Sequence, residues 1–82
     1  MKIKILGTGC ANCRNLEQLV RRTVDELKLD AQVEKEEDIM KIIAYGVRRT
    51  PAIVIDEKVV LYGRIPSENE LISLLTTQIS QV

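Results

Sequence analysis

At 82 residues, with 45% hydrophobic and 29% charged side chains, the chain has the length and balance of one small globular domain, spanning 1–82, with a thin core. Twelve basic and twelve acidic residues cancel, and Tyr45 and Tyr62 are the only aromatics, which argues against a nucleic-acid binder needing a basic excess and a stacking platform. No apolar run approaches a signal h-region or a membrane span, so a cytoplasmic chain with no membrane partner is expected.

The first element is a strand, Lys2 to Leu6, alternating Lys-Ile-Lys-Ile before turning apolar. Gly7 and Gly9 end it. A helix is expected from Cys10 or Ala11 to Leu27 or Lys28. Its apolar stripe is Cys13, Leu16, Val20, Val24 and Leu27, widened by Leu19. Cys13 is in phase with that stripe and should point inward, whereas Cys10 sits where the chain is just becoming helical. Asp30 to Lys35 reads as a weaker strand with Ala31 and Val33 on one side. Glu36, Glu37 and Asp38 suit the start of a short second helix, with Ile39, Ile42 and Ile43 as its buried side and Gly46 at its end. Ala52 to Ile55 reads as a buried strand. Asp56-Glu57 turns the chain, and Lys58 to Tyr62 returns as a hairpin partner; without an Asn-Gly signature the turn type stays open. Gly63 breaks that strand. Ser67 to Glu70 is a capping-box pattern, and a last helix follows with Leu71, Leu74, Leu75 and Ile79 on one side. The order is β-α-β-α-β-β-α. Its first two strands should be parallel, joined by a right-handed crossover.

Both cysteines fall in Gly7-Thr8-Gly9-Cys10-Ala11-Asn12-Cys13-Arg14, at the strand-to-helix junction. Two chemistries suit such a pair. A thiolate at a helix N-terminus is favoured by unpaired N–H groups and the aligned peptide dipoles. Cys10 could then attack a disulfide, and Cys13, three residues on, could resolve the mixed disulfide. Alternatively, two thiolates can hold a soft metal such as copper or zinc. Histidine is absent, so a closed four-ligand zinc site would need carboxylates, which is uncommon. Copper carriers share the Gly-x-x-Cys-x-x-Cys loop but place a hairpin directly after the first helix. Here that place holds an acidic helix start, and the chain ends in a capped helix. The order of elements therefore favours redox chemistry.

The segment Tyr45-Gly46-Val47-Arg48-Arg49-Thr50-Pro51-Ala52-Ile53-Val54-Ile55 resembles the stretch through the cis-proline of the thioredoxin superfamily. With the Gly-Thr-Gly-Cys-Ala-x-Cys start, the resemblance covers nearly the whole chain. It is closest to the small archaeal and bacterial thioredoxin/glutaredoxin-like redox-active disulfide proteins. It implies an α/β thioredoxin-like fold, a four-stranded mixed sheet in the order 2-1-3-4 flanked by three helices. It implies a dithiol–disulfide oxidoreductase of redox homeostasis and electron transport. No cofactor is implied beyond the Cys10–Cys13 disulfide and no metal. The implied partners are protein disulfides and a thioredoxin-reductase-like flavoprotein, with the chain a monomer. Cys10 and Cys13 are then the catalytic pair. Thr50–Pro51 is cis and packs beside them, and Gly9, Thr50, Pro51 and Gly63 contact substrate. Arg14 and Arg49 are candidates to stabilise the Cys10 thiolate; for Arg48 and Arg49 the alternative is a solvated charged loop. The sequence departs from the family in four ways. Gly9 replaces the Trp before the first cysteine, Ala-Asn separates the cysteines, the first strand carries no Asp or Glu to accept a proton, and Tyr62-Gly63-Arg64 stands after the hairpin in place of the Gly-Gly and Asp pattern of glutathione-binding glutaredoxins. Lys4, on that strand, could face the active-site end or solvent.

Overall fold

The computed structural model describes residues 1–80, with side chains through Thr77. Its elements are β1 (Lys2–Leu6), α1 (Ala11–Glu26), β2 (Gln32–Glu36), α2 (Ile39–Ala44), β3 (Ala52–Ile55), β4 (Lys58–Tyr62) and α3 (Glu68–Ser80). They form one four-stranded sheet in the order β2-β1-β3-β4. β1 and β2 are parallel; β3 is antiparallel to both β1 and β4. This is the thioredoxin-like α/β arrangement.

The apolar patterns explain the layering. β1 and β3 are the central strands, and each buries residues on both faces, so they read as nearly continuous apolar runs. Ile3, Ile5, Ile53 and Ile55 face one way and pack with Leu16 and Val20 of α1 and Leu71 and Leu75 of α3. Leu6, Ala52 and Val54 face the other way and pack with Ile42 of α2 and with Val47. Thus α1 and α3 cover one face and α2 the other. The edge strand β2 alternates: Val33 is half-buried while Gln32 and Glu34 are exposed.

Three sequence expectations need correction. Ile39 and Ile43 are not buried: they are 58% and 59% exposed, and only Ile42 of α2 enters the core. Six residues make fewer than two helical turns, so α2 presents one side chain to the sheet and leaves its flanks open. Glu36 belongs to β2, not to the helix start; Asp38 is the N-cap, its side chain accepting from the Met40 N–H at 2.9 Å. On α1, Leu27 is exposed at the C-cap, while Thr23 is fully buried. The Thr23 hydroxyl is satisfied by donating to the Leu19 carbonyl one turn back, which is why a polar residue is tolerated there. Ile79 lies outside the described side chains.

The β3–β4 turn has φ 48° at Asp56 and 71° at Glu57. Two left-handed residues in a two-residue loop are the type I′ signature. Asp56 Oδ1 accepts from the Lys2 N–H at 2.8 Å, and its own N–H donates to the Lys2 carbonyl. The Glu57 carboxylate accepts from the Tyr45 hydroxyl at 3.0 Å and pairs with Lys4 Nζ at 3.3 Å. Lys4 therefore lies on the α2 face, tied to the sheet end opposite Leu6.

Candidate active site

The site forms because β1 ends where β3 begins. Leu6 and Ala52 are paired across the ladder. The Gly7–Cys10 loop leaving β1 and the Thr50–Pro51 segment entering β3 therefore emerge at the same end of the sheet. The Gly7 N–H continues the β1–β2 ladder by donating to the Glu36 carbonyl at 3.0 Å. Gly9 then turns the chain with φ +86°, a conformation that side chains rarely adopt.

Cys10 is the N-cap of α1 and is exposed. Its sulfur accepts from the Cys13 N–H at 3.1 Å, satisfying one of the unpaired donors of the first turn. The Arg14 N–H bonds the Cys10 carbonyl, closing that turn. Cys13 is only 6% exposed, as its phase with Leu16 and Val20 requires. The two sulfurs are joined in a disulfide, with Cα atoms 5.1 Å apart. One cysteine of the pair is thus open to solvent and the other lies under it.

Gly7 is buried against Cys13. A Cβ placed at Gly7 would fall onto Cys13 Sγ and lie 2.9 Å from Cys13 Cβ. Side-chain-free backbone at this position is what lets the second cysteine seat.

The Thr50–Pro51 peptide bond is cis. Pro51 is buried, and its carbonyl accepts from the Gly63 N–H at 2.9 Å. Gly63 has φ +81°, and the side chain of Arg49 would lie 3.4 Å from a Cβ built there. Thr50 is exposed and takes part in none of the hydrogen bonds among the described residues. Thr8 and Thr50 line one groove of about 610 Å³ together with Ile39, Ile43, Val47 and Arg48. The exposed flank of α2 thus continues the surface that carries Thr50. Gly9 and Arg14 line a separate cavity that reaches Cys13. Arg14, Arg48 and Arg49 are in none of the ion pairs among the described residues.

Two charge clusters lie away from the cysteines. The Tyr45 hydroxyl, then Lys4, hydrogen-bond the Glu57 carboxylate and lower its pKa below the usual value; the same hydroxyl, then Glu57, raises that of Lys4. The Arg64 guanidinium binds both oxygens of Glu70 and lowers its pKa. Glu70 also donates its N–H to Ser67 Oγ, so the cap is half of a capping box, its carboxylate being engaged by Arg64. As for metal ligation, among the described residues no three His, Cys, Asp or Glu side chains are gathered into a possible site.

The thioredoxin domain family matches residues 1–76 of the chain. A thioredoxin of Methanothermobacter thermautotrophicus is 40% identical over 76 residues, covering 93% of this chain and 99% of that protein. The chain belongs to the thioredoxin family. A thioredoxin of Methanocaldococcus jannaschii is 39% identical over 69 residues, 84% of this chain and 79% of the relative. A probable thioredoxin of Archaeoglobus fulgidus is 30% identical, covering 80% and 75%. Family membership and the Cys10–Cys13 bridge together make this thioredoxin-like chain a dithiol–disulfide oxidoreductase. Nothing in the site favours the metal-binding alternative.

Sequence reasoning left two parts of this site unassigned. Gly7 read as a strand terminator; its close approach to Cys13 needs the fold. The groove flank of Ile39 and Ile43 read as core.

Proposed function

We propose that the chain reduces protein disulfides through a Cys10–Cys13 couple in which Cys10 attacks and Cys13 resolves. The observation that carries this is the asymmetry of the pair: Cys10 is exposed at the N-cap and receives the Cys13 N–H, while Cys13 is buried. In the reduced protein the same N–H and the α1 dipole favour a thiolate on Cys10. That thiolate attacks one sulfur of the target disulfide, and the other target sulfur leaves as a thiolate. Cys13 then attacks Cys10 Sγ, expelling the second target sulfur. The target gains two electrons and the Cys10–Cys13 disulfide forms. The reverse sequence oxidises a dithiol.

In this reading the target enters as an extended segment beside Thr50–Pro51. The free backbone of Thr50 pairs with it, and Gly9 and Gly63 leave room for it. Its flanking apolar side chains lie in the groove of Ile39, Ile43 and Val47. Arg14 and Arg49 supply positive potential at the rim. A thioredoxin-reductase-like flavoprotein returns the electrons. The chain works as a monomer in the cytoplasm, in electron transport that maintains redox homeostasis, as one domain with no other cofactor. Among the described residues no helix is long and apolar enough to cross a membrane, which is compatible with that location. Reduction of a model protein disulfide, recycled by a small dithiol, tests the reading. The unmodified protein should turn over and Cys10→Ser should be inactive. Undiminished turnover in Cys10→Ser would show the assignment to be wrong.

A further inference from the structure

Charge is distributed unevenly around the groove that carries Thr50. Thr8, Ile39, Ile43, Val47, Arg48 and Thr50 lie along its wall. Ile39 and Ile43 are more than half exposed, so a continuous apolar flank stays in contact with water. Among the described residues no carboxylate lines this groove, and Arg48 is its only charged side chain. Lys41, the one charged residue of α2, is drawn off toward Glu36, 3.9 Å away.

The arginines divide in the same way. Arg21, Arg22 and Arg64 each pair with a glutamate. Arg14, Arg48 and Arg49, which have no such pair among the described residues, all stand at the cysteine end of the sheet. They face different ways. Arg14 lines the separate cavity that reaches Cys13. Arg49 lies along Gly63, its Cβ and Cδ 3.4 and 3.6 Å from the place where a side chain on Gly63 would begin. Arg48 alone stands in the apolar groove, two residues before Thr50. An exposed guanidinium is well solvated, so its lack of a partner carries no argument by itself. Its surroundings do. An occupant that covers Ile39 and Ile43 also strips water from Arg48, and a charge desolvated without compensation is costly. A carboxylate on the occupant removes that cost, and the pair is stronger beside apolar walls than in open water. The planar fork of arginine also suits a carboxylate.

We propose that Arg48 selects the target protein by pairing with an acidic side chain that flanks the target cysteine, beside the apolar side chain that covers Ile39 and Ile43. This rests on the reading that an extended target pairs with Thr50 and is attacked by Cys10. Two residues of extended chain span roughly 7 Å, so the acid lies within about two positions of the residue that pairs with Thr50. The preferred substrate is thus an apolar–acidic segment around a cysteine, and Arg48 is a specificity-determining residue that touches the target but neither sulfur of the couple.

Short peptides whose cysteine is carried as a mixed disulfide with an aromatic thiol test this. Cys10 Sγ bonds the peptide sulfur, and the aromatic thiolate leaves and is followed by its absorbance. Each peptide holds one leucine near the cysteine and either glutamate or glutamine, placed in turn at each of the two positions on either side. A third set carries lysine there. At its best position the glutamate peptide should react about fivefold faster than the glutamine peptide at low ionic strength, the upper end for an exposed ion pair. That ratio should fall toward one as salt is raised. It should be close to one in Arg48→Gln, and in Arg48→Glu the lysine peptide should become the faster. Lys58→Gln removes the same charge at the far end of β4 and should leave the ratio unchanged. A ratio near one in the unmodified protein overturns the proposal, and so does a ratio that persists in Arg48→Gln. Equal loss of the ratio in Lys58→Gln overturns it too, since the preference would then belong to net charge. Replacing the peptide's leucine by serine should slow every form of the protein. If it does not, or if Cys10→Ser still releases the aromatic thiolate, the underlying reading of the groove and of Cys10 has failed and the proposal with it. A leucine effect that holds while the glutamate ratio stays at one shows instead that the assignment of Arg48 alone is wrong.

Discussion

Gly7→Ala puts a single methyl group against the buried cysteine. The added Cβ would sit on Cys13 Sγ and 2.9 Å from Cys13 Cβ, well inside contact distance. In the oxidised protein that sulfur is bonded to Cys10 and cannot rotate away. In the reduced protein it can. Overpacking a core by one methyl typically costs about 1–3 kcal/mol. For a chain of this size each kcal/mol lowers Tm by roughly 4–8 °C. The oxidised form of Gly7→Ala should therefore melt about 8–16 °C below the unmodified protein for a cost of about 2 kcal/mol, and the reduced form should lose less. Penalising the oxidised form favours reduction, so the midpoint potential should become less negative. A difference of about 1.4 kcal/mol between the two forms corresponds to about 30 mV. Calorimetry of both redox forms and equilibration against a dithiol buffer give the two quantities independently. Equal Tm losses in the two forms, or a shift to a more negative potential, would refute the reasoning.

The remaining predictions concern the groove and the ion clusters. Ile43→Asp changes an exposed side chain, so stability should move by less than about 0.5 kcal/mol; turnover on a protein disulfide should fall several-fold while reaction with a small aromatic disulfide is unaffected. Equal loss on both substrates would place Ile43 outside the docking surface. The Glu57 pKa is lowered in the folded chain, first by the Tyr45 hydroxyl and then by Lys4. A lowered carboxylate pKa stabilises the fold above the unfolded value, and that contribution is lost as pH falls through the folded one. The Tm deficit of Glu57→Gln should accordingly be present at pH 7 and shrink as pH falls below about 4.5. A deficit that is constant from pH 7 to pH 2 would contradict the ionic origin.

The fold was legible because its signals are local and mutually consistent. The alternation in Lys2–Leu6, the three-and-four spacing from Cys13 to Val20, the glycine at 46 and the Ser67 cap each follow from backbone periodicity and terminal hydrogen bonds. The placement of Cys10 and Cys13 was legible for the same reason, since helical phase alone separates the exposed from the buried cysteine. What failed was anything decided by how much of an element is covered. Ile39 and Ile43 have apolar spacing, but a six-residue helix buries only Ile42. Thr23 is polar and carries no apolar signal, yet its hydroxyl bonds Leu19 and its position is core. The Asp56-Glu57 turn was undetermined because no glycine marks it; Lys2, Lys4 and Tyr45, distant in sequence, hold it instead. The role of Gly7 depends on a contact with Cys13 across the β1–α1 junction, which glycine's presence signals only as a turn.

The central claim is that Cys10 is an exposed thiolate at the α1 N-cap and Cys13 a shielded partner. Alkylation of the reduced protein across pH, with the modified residue identified by mass spectrometry, tests it most directly. Cys10 should be modified first, and its rate should reach half-maximum below about 8.5, the value of a free thiol. Modification of Cys13 as fast as Cys10, or a half-maximum for Cys10 at or above the free-thiol value, would contradict the account.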